Sequence, residues 1–105
     1  MKELKDVLQE NKEQMEYWLS QLENGLEENV EEEERMEIRY KDFLFFYNEI
    51  EDIAKAYNTL NRNNLIKEAD YIAKKDIIKD FFDNTLLMRV KAIEIIDKVR
   101  NKKGA

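Results

Sequence analysis

A continuous pattern of apolar residues between positions 36 and 60 limits what this chain can fold into. The pattern alternates spacings of four and three residues along Met36, Tyr40, Phe43, Tyr47, Ile50, Ala54 and Tyr57. This spacing places the side chains along one face of an α-helix, as in a helix that packs against other helices. Neither glycine nor proline interrupts the stretch. The pattern therefore predicts a long helix in the middle of the chain.

The amino-acid composition favours more helices of the same kind. The chain of 105 residues contains no proline and two glycines, Gly25 and Gly104. Few residues therefore interrupt regular structure, which suits long helices and disfavours a sheet of many short strands. The length fits one domain, so we predict a single helical-bundle domain over residues 1–105.

Two connections divide the predicted bundle into three helices. Asn24-Gly25 is a strong stop signal because both residues tolerate the left-handed conformation that ends helices. Segment 61–64 is rich in asparagine, whose side chain competes with the helix backbone. The predicted fold is all-α, an antiparallel bundle of three main helices at about 3–24, 26–61 and 64–101.

The third predicted helix changes its apolar face near Asp76. Before this residue, Ala69 and Ile72 share one face, whereas the apolar residues from Ile78 onward follow another. Such a change predicts a helix that is broken or bent near Asp76, which would act as an N-cap. The segment at Asp83 keeps its phase, so no second break is predicted there.

The same patterns predict the core. Its expected members are Trp18, Leu22, Phe43, Tyr47, Ile50, Tyr57, Ile72, Phe81, Met88 and Ile96. On the first helix, Asn11 is the one polar residue on the apolar seam. A buried asparagine at such a position often fixes the register of neighbouring helices.

Composition also argues against several classes of function. The chain has no cysteine, which excludes disulfides and thiolate chemistry, and no histidine, the commonest general base and transition-metal ligand. We predict no cofactor and no catalytic residues. Met1 is followed by charged residues rather than an apolar run, and no segment approaches a membrane span. We therefore expect a soluble cytoplasmic protein.

Charge is distributed unevenly along the chain. Residues 1–53 carry a net charge of −11 and residues 54–105 carry +5, giving −6 overall. One interpretation is that the two halves complement each other across helix faces. The other is an acidic surface that binds a basic partner or imitates nucleic acid.

Two features of the second helix are candidates for partner binding. At about 100° per residue, Ile38 and Phe45 lie opposite its main apolar face. Either the second helix is central and packs against other helices on two sides, or these two residues contact another chain. The run Glu31, Glu32, Glu33 and Glu34 is a solvated face or an interface.

Paired carboxylates offer an alternative, catalytic interpretation. Glu31 and Glu34, followed by Glu49 and Asp52, are similar to the metal-binding signature of the all-α nucleotide pyrophosphohydrolases of the MazG kind. The resemblance implies that these four residues hold Mg²⁺ against nucleotide phosphates. The two pairs lie 15 residues apart, or about 22 Å along one helix, whereas ligands of one ion must converge. This geometry favours a protein that is not an enzyme.

The predicted function is therefore non-catalytic binding of another protein through helix faces, as an adaptor, chaperone or inhibitor. The plan of three helices resembles a spectrin-type repeat, and many phage-encoded inhibitors share it. A homodimer and an acidic decoy for a nucleic-acid-handling protein stay open as alternatives. Direct binding to nucleic acid is not expected, because the pI is about 4.8 and no glycine-rich loop or aromatic-basic signature is present.

Overall fold

Three helices form the part of the chain that the structure describes. A computed structural model describes residues 2–27 and 32–103. Its helices are α1 (Leu4–Glu27), α2 (Glu33–Arg62) and α3 (Glu68–Lys103), and each packs against the other two. The predicted all-α bundle of three helices is confirmed. None of these helices has a stretch that is long and apolar enough to cross a membrane.

Contacts between the helices give their directions. Asn11 near the start of α1 donates to the Phe46 carbonyl in α2, whereas Gln21 near the end of α1 accepts from Arg39. Helices α1 and α2 are therefore antiparallel. Arg100 near the end of α3 binds Glu37 near the start of α2, so α2 and α3 are also antiparallel.

One core runs between the three helices. It contains Leu8, Met15, Leu19, Leu22, Met36, Phe43, Tyr47, Ile50, Ile78, Phe81, Ala92, Ile95, Ile96 and Val99. Of the predicted core residues, Leu22, Phe43, Tyr47, Ile50, Phe81 and Ile96 are buried. Trp18, Tyr57 and Met88 are half-buried against the same core.

Asn11 is buried on the α1 seam, as the sequence indicates, and its side chain is satisfied there. Its Nδ2 donates to the Phe46 carbonyl at 2.8 Å and to Glu49 Oε2 at 3.1 Å. A buried amide with no partner would cost free energy, so this pair of bonds favours the observed alignment of α1 and α2.

The predicted end of the first helix at Asn24-Gly25 is wrong. Helix α1 continues to Glu27, and α2 begins at Glu33 rather than near Leu26. Gly25 is buried inside α1 and has no positive φ. Its hydrogen leaves room for Met36 and Arg39 of α2, since a Cβ at this position would meet both side chains closely. Close packing of two helices, rather than chain reversal, explains this glycine.

Of the break or bend predicted near Asp76, the break is absent. Helix α3 passes through Asp76 and Asp83 without interruption. The change of apolar face instead marks where the core ends, because Ile72 is 48% exposed while Ile78 is buried. The prediction that Ile72 belongs to the core was therefore wrong.

The asparagine-rich connection is confirmed, although α3 begins at Glu68 rather than near residue 64, and the connection has a defined geometry. Asn64 adopts a left-handed backbone with φ of 56°. The N–H of Leu65 donates to the Leu60 carbonyl at 2.9 Å, and the N–H of Asn64 donates to the Asn61 carbonyl at 3.2 Å. These two bonds form a Schellman motif, which satisfies carbonyls at the end of α2.

Candidate functional site: an acidic cleft beside α2

The predicted partner-binding residues lie on the outer side of α2. Ile38 is 55% exposed and Phe45 is 62% exposed, although both are large and apolar. They are seven residues apart, about 10 Å along the helix axis. Phe45 contacts only the edge of its neighbour Phe46 among the aromatic rings of the described residues, at 5.1 Å between centroids. Glu31 lies outside the described residues.

Ile38 and the described glutamates surround one concave site, which we call the acidic cleft. Its volume is about 700 Å³. Trp18 from α1 lines it together with residues from the start of α2. The full lining is Trp18, Gln21, Glu32, Glu33, Glu34, Arg35, Ile38, Arg39 and Asp42. The cleft thus combines apolar surface from Trp18 and Ile38 with an excess of carboxylates.

Arg39 fixes the inner wall of the acidic cleft. It is 9% exposed, and its Nη1 donates to the Gln21 carbonyl at 2.7 Å. Since Gly25 provides the space for this guanidinium, α1 and α2 approach closely at this end of the bundle. The wall of the cleft is therefore set by a contact between two helices.

Several carboxylates at the rim keep their charge available for a ligand. Glu32, Glu34 and Asp42 form no ion pair with any residue that the structure describes. Glu32 and Glu34 are exposed, and Asp42 is half-buried. Exposed charges contribute little to folding, but they raise the local concentration of a cationic partner. The electrostatic character of the site favours a basic ligand.

Charge complementarity within the bundle occurs elsewhere, between α2 and α3. Glu37 accepts two hydrogen bonds from Arg100, from Nε at 2.5 Å and from Nη2 at 2.9 Å. Hydrogen bonding to Arg100 holds the pKa of the Glu37 carboxyl below its ordinary value. Arg89 stacks 4.0 Å from the centroid of the Tyr47 ring. Two basic residues of α3 thus contact side chains of α2.

Of the pyrophosphohydrolase signature, the described residues Glu34, Glu49 and Asp52 do not converge within one chain. Glu34 and Glu49 lie on the same uninterrupted helix, 15 residues apart, and so are separated by about 22 Å along its axis. Glu49 accepts a hydrogen bond from Asn11. Among the described residues, no three acidic side chains lie close enough together to hold a metal ion. That the chain is not an enzyme stays a prediction.

Sequence reasoning missed three features of the structure. It assigned Trp18 to the core, against which this residue is half-buried, but did not predict that Trp18 also lines the acidic cleft. It missed the buried Arg39, although Arg39 lies three residues after Met36 and four before Phe43 and so occupies the core spacing. It also missed an exposed apolar face of α3. The residues of that face are Leu86, Leu87, Val90 and Ile93.

Comparisons with protein-family models, with curated proteins and with solved structures gave no match for this chain.

Proposed function

We propose that this chain is a non-catalytic protein that binds another protein through the acidic cleft and the adjoining outer face of α2. It would act as an adaptor, chaperone or inhibitor. The observation that supports the proposal is the grouping of apolar side chains with carboxylates that form no ion pair at one site. Ile38 and Trp18 supply the apolar surface, and Glu32, Glu34 and Asp42 supply the charge.

The chemistry of the cleft indicates the kind of segment that would bind. An apolar side chain of the partner would contact Trp18 and Ile38, with a second contact on Phe45. Lysine or arginine side chains beside it would meet the carboxylates. In such interfaces a few buried aromatic or apolar contacts supply most of the affinity, whereas charges at the rim mainly raise the association rate.

Substitution of Phe45 tests the proposal. Partners are captured from the native cell on the wild-type protein and identified by mass spectrometry, and the dissociation constant is then measured with the purified partner. Phe45→Glu should weaken binding by about 30-fold, since loss of a dominant contact costs about 2 kcal/mol. The protein should stay folded because Phe45 is exposed.

Leu65 provides the matched control, because it is apolar and 71% exposed but lies in the connection between α2 and α3. Leu65→Glu should leave binding unchanged. Equal losses in both variants, or unfolding of Phe45→Glu by circular dichroism, would contradict the proposal.

The unpaired carboxylates support a second candidate, an acidic decoy that inhibits a nucleic-acid-handling protein. In that case electrostatics would dominate the affinity, which should then fall steeply between low and high salt. The double variant Glu32→Gln/Glu34→Gln should reduce that salt dependence. Binding that is insensitive to salt would exclude the decoy and leave the apolar contact as the main source of affinity.

A further inference from the structure

The outer side of α3 carries a second seam, separate from the one in the core. Its positions alternate spacings of four and three residues, which is the spacing of a helix that meets another helix. They are Ile72, Asp76, Lys79, Asp83, Leu86, Val90, Ile93 and Asp97. At about 100° per residue these positions point away from the buried face that contains Phe81, Thr85 and Ala92. We call them the outer seam of α3.

The centre of the outer seam is apolar and uncovered. Leu86 is 51% exposed, Val90 and Ile93 are 42% exposed, and the adjacent Leu87 is 74% exposed. Four large aliphatic side chains therefore lie together on one helix face, and contiguous apolar surface of this kind marks interaction sites. Neither α1 nor α2 covers this face.

One pair of oppositely charged residues on this seam, Lys79 and Asp97, lies at equal distances on either side of the patch. Lys79 lies nine residues before the midpoint between Leu86 and Val90, and Asp97 lies nine residues after it. Each is thus about 13 Å from the centre along the helix axis. Both side chains are exposed, and neither forms an ion pair with the described parts of the chain.

We propose that α3 pairs antiparallel with α3 of a second copy of this chain, so that Lys79 meets the partner's Asp97. A two-fold axis at the midpoint brings Leu86 against the partner's Val90, and repeats each contact on the other side. The dimer then contains two Lys79–Asp97 ion pairs, in which both charges of each chain are neutralised. A parallel pair would instead place Lys79 against the partner's Lys79, and Asp83 against the partner's Asp83.

The same register limits the strength of the dimer. Ile93 meets the partner's Asp83, whose carboxylate stays in water, so the dry contact is confined to the central residues. Small interfaces of this kind give weak, reversible association. The dimer is expected to form and dissociate with protein concentration. Its surface is separate from the acidic cleft, so the two proposals fail independently.

Sedimentation equilibrium tests the dimer directly. The wild-type protein at roughly 10 µM to 1 mM should show a monomer–dimer equilibrium, since association follows mass action. Val90→Glu should be monomeric over that range with an unchanged helical circular-dichroism spectrum, because Val90 faces solvent. Phe45→Glu should dimerise as the wild type does, which separates this surface from the outer face of α2.

A charge exchange tests the register. Lys79→Asp and Asp97→Lys should each weaken the dimer by roughly tenfold, because each brings like charges together. The double variant Lys79→Asp/Asp97→Lys restores opposite charges and should recover the wild-type dissociation constant within about threefold. Both positions are exposed, so all three variants should fold.

Three results would overturn the proposal. A wild-type protein that stays monomeric at the highest concentration excludes pairing with a second copy. Binding of a different protein by this face would also give that result and would likewise overturn the proposal. A dimer that persists in Val90→Glu lies on another surface. A double variant no stronger than its single variants excludes the antiparallel register.

Discussion

At the scale of single residues, the junction of α1 and α2 depends on an unusual set of neighbours. Gly25 has no side chain, and the space beside it holds the thioether of Met36 and the guanidinium of Arg39. Both of those residues are buried. The hydrogen bond from Arg39 to the Gln21 carbonyl compensates for the burial of a charged group. The wall of the acidic cleft therefore depends on a glycine at this position.

Gly25→Ala should destabilise the protein by about 1 kcal/mol. Alanine favours the helix by about 1 kcal/mol relative to glycine, but its Cβ would lie 2.5 Å from Met36 Sδ and closer still to Arg39 Nη1. Displacing Arg39 from its carbonyl partner costs about 2 kcal/mol, so the loss exceeds the gain. Chemical denaturation measures the difference in the free energy of unfolding.

Asn24→Ala is the matched control, because Asn24 is exposed one residue earlier in the same helix. It should stabilise the protein by a few tenths of a kcal/mol through helix propensity alone. If Gly25→Ala were as stabilising as Asn24→Ala, the close approach of Arg39 and Met36 would not constrain this position.

At the scale of the elements, the buried face of α2 and the position of its C-terminus have separate physical explanations. Helix α2 places Met36, Phe43 and Ile50 in the core and leaves Phe45 exposed on the opposite side. Its C-terminus ends in a Schellman motif, in which Asn64 takes the left-handed conformation. Among residues with a Cβ, asparagine adopts this conformation readily. Glycine, which has no Cβ, adopts it more readily still.

Asn64→Ala should therefore destabilise the protein by about 1 kcal/mol, since a left-handed backbone is costly for alanine. Asn64→Gly should be neutral or stabilising. Asn63→Ala serves as the control, because Asn63 has a φ of −94° and its backbone suits any residue. Thermal unfolding of the three variants ranks them, and an equal effect of alanine at both positions would contradict this account of the turn.

At the scale of the whole molecule, the uneven charge of the chain is partly resolved by packing α3 against α2. Arg100 forms a two-pronged contact with Glu37 and lies 5.6 Å from the centroid of the Tyr40 ring. The first half nonetheless keeps unpaired carboxylates at the acidic cleft. The charge asymmetry thus contributes to helix packing at the α2–α3 contact and leaves carboxylates without an ion pair at the acidic cleft.

The Glu37–Arg100 contact should make stability depend on acid pH. Hydrogen bonding to Arg100 lowers the pKa of Glu37 below its ordinary value of 4.5, so the folded state holds this proton less tightly than the unfolded state. The contribution is complete above the ordinary pKa and is lost as pH falls through the lowered pKa. The Tm of Glu37→Gln should therefore fall less than that of the wild type between about pH 6 and pH 3.

Glu34→Gln is the matched control on the same helix, because Glu34 is exposed and forms no ion pair with the described residues. Its Tm should follow the wild-type pH profile. Parallel profiles for the wild type and Glu37→Gln would show that the contact with Arg100 does not stabilise the fold in solution.

The sequence by itself determined the class of fold, the seam of α2 and the turn at Asn64. These features depend on periodicity and local backbone preference, which act over a few residues and can be read from spacing. The same helical geometry placed Ile38 and Phe45 opposite the core face of α2 but left open whether another layer of the bundle covers them, and the structure shows both exposed.

Only the tertiary structure decided where the core ends and what the helices leave uncovered. Gly25 and Asp76 carry local signals for interruption of a helix, yet both lie inside helices. At Gly25 the glycine makes room for Met36 and Arg39. At Asp76 the change of apolar face marks the end of the core. The acidic cleft and the exposed centre of the outer seam of α3 could not be predicted either. Both depend on how three helices pack in space, and packing of distant residues is not encoded in the period of any one helix.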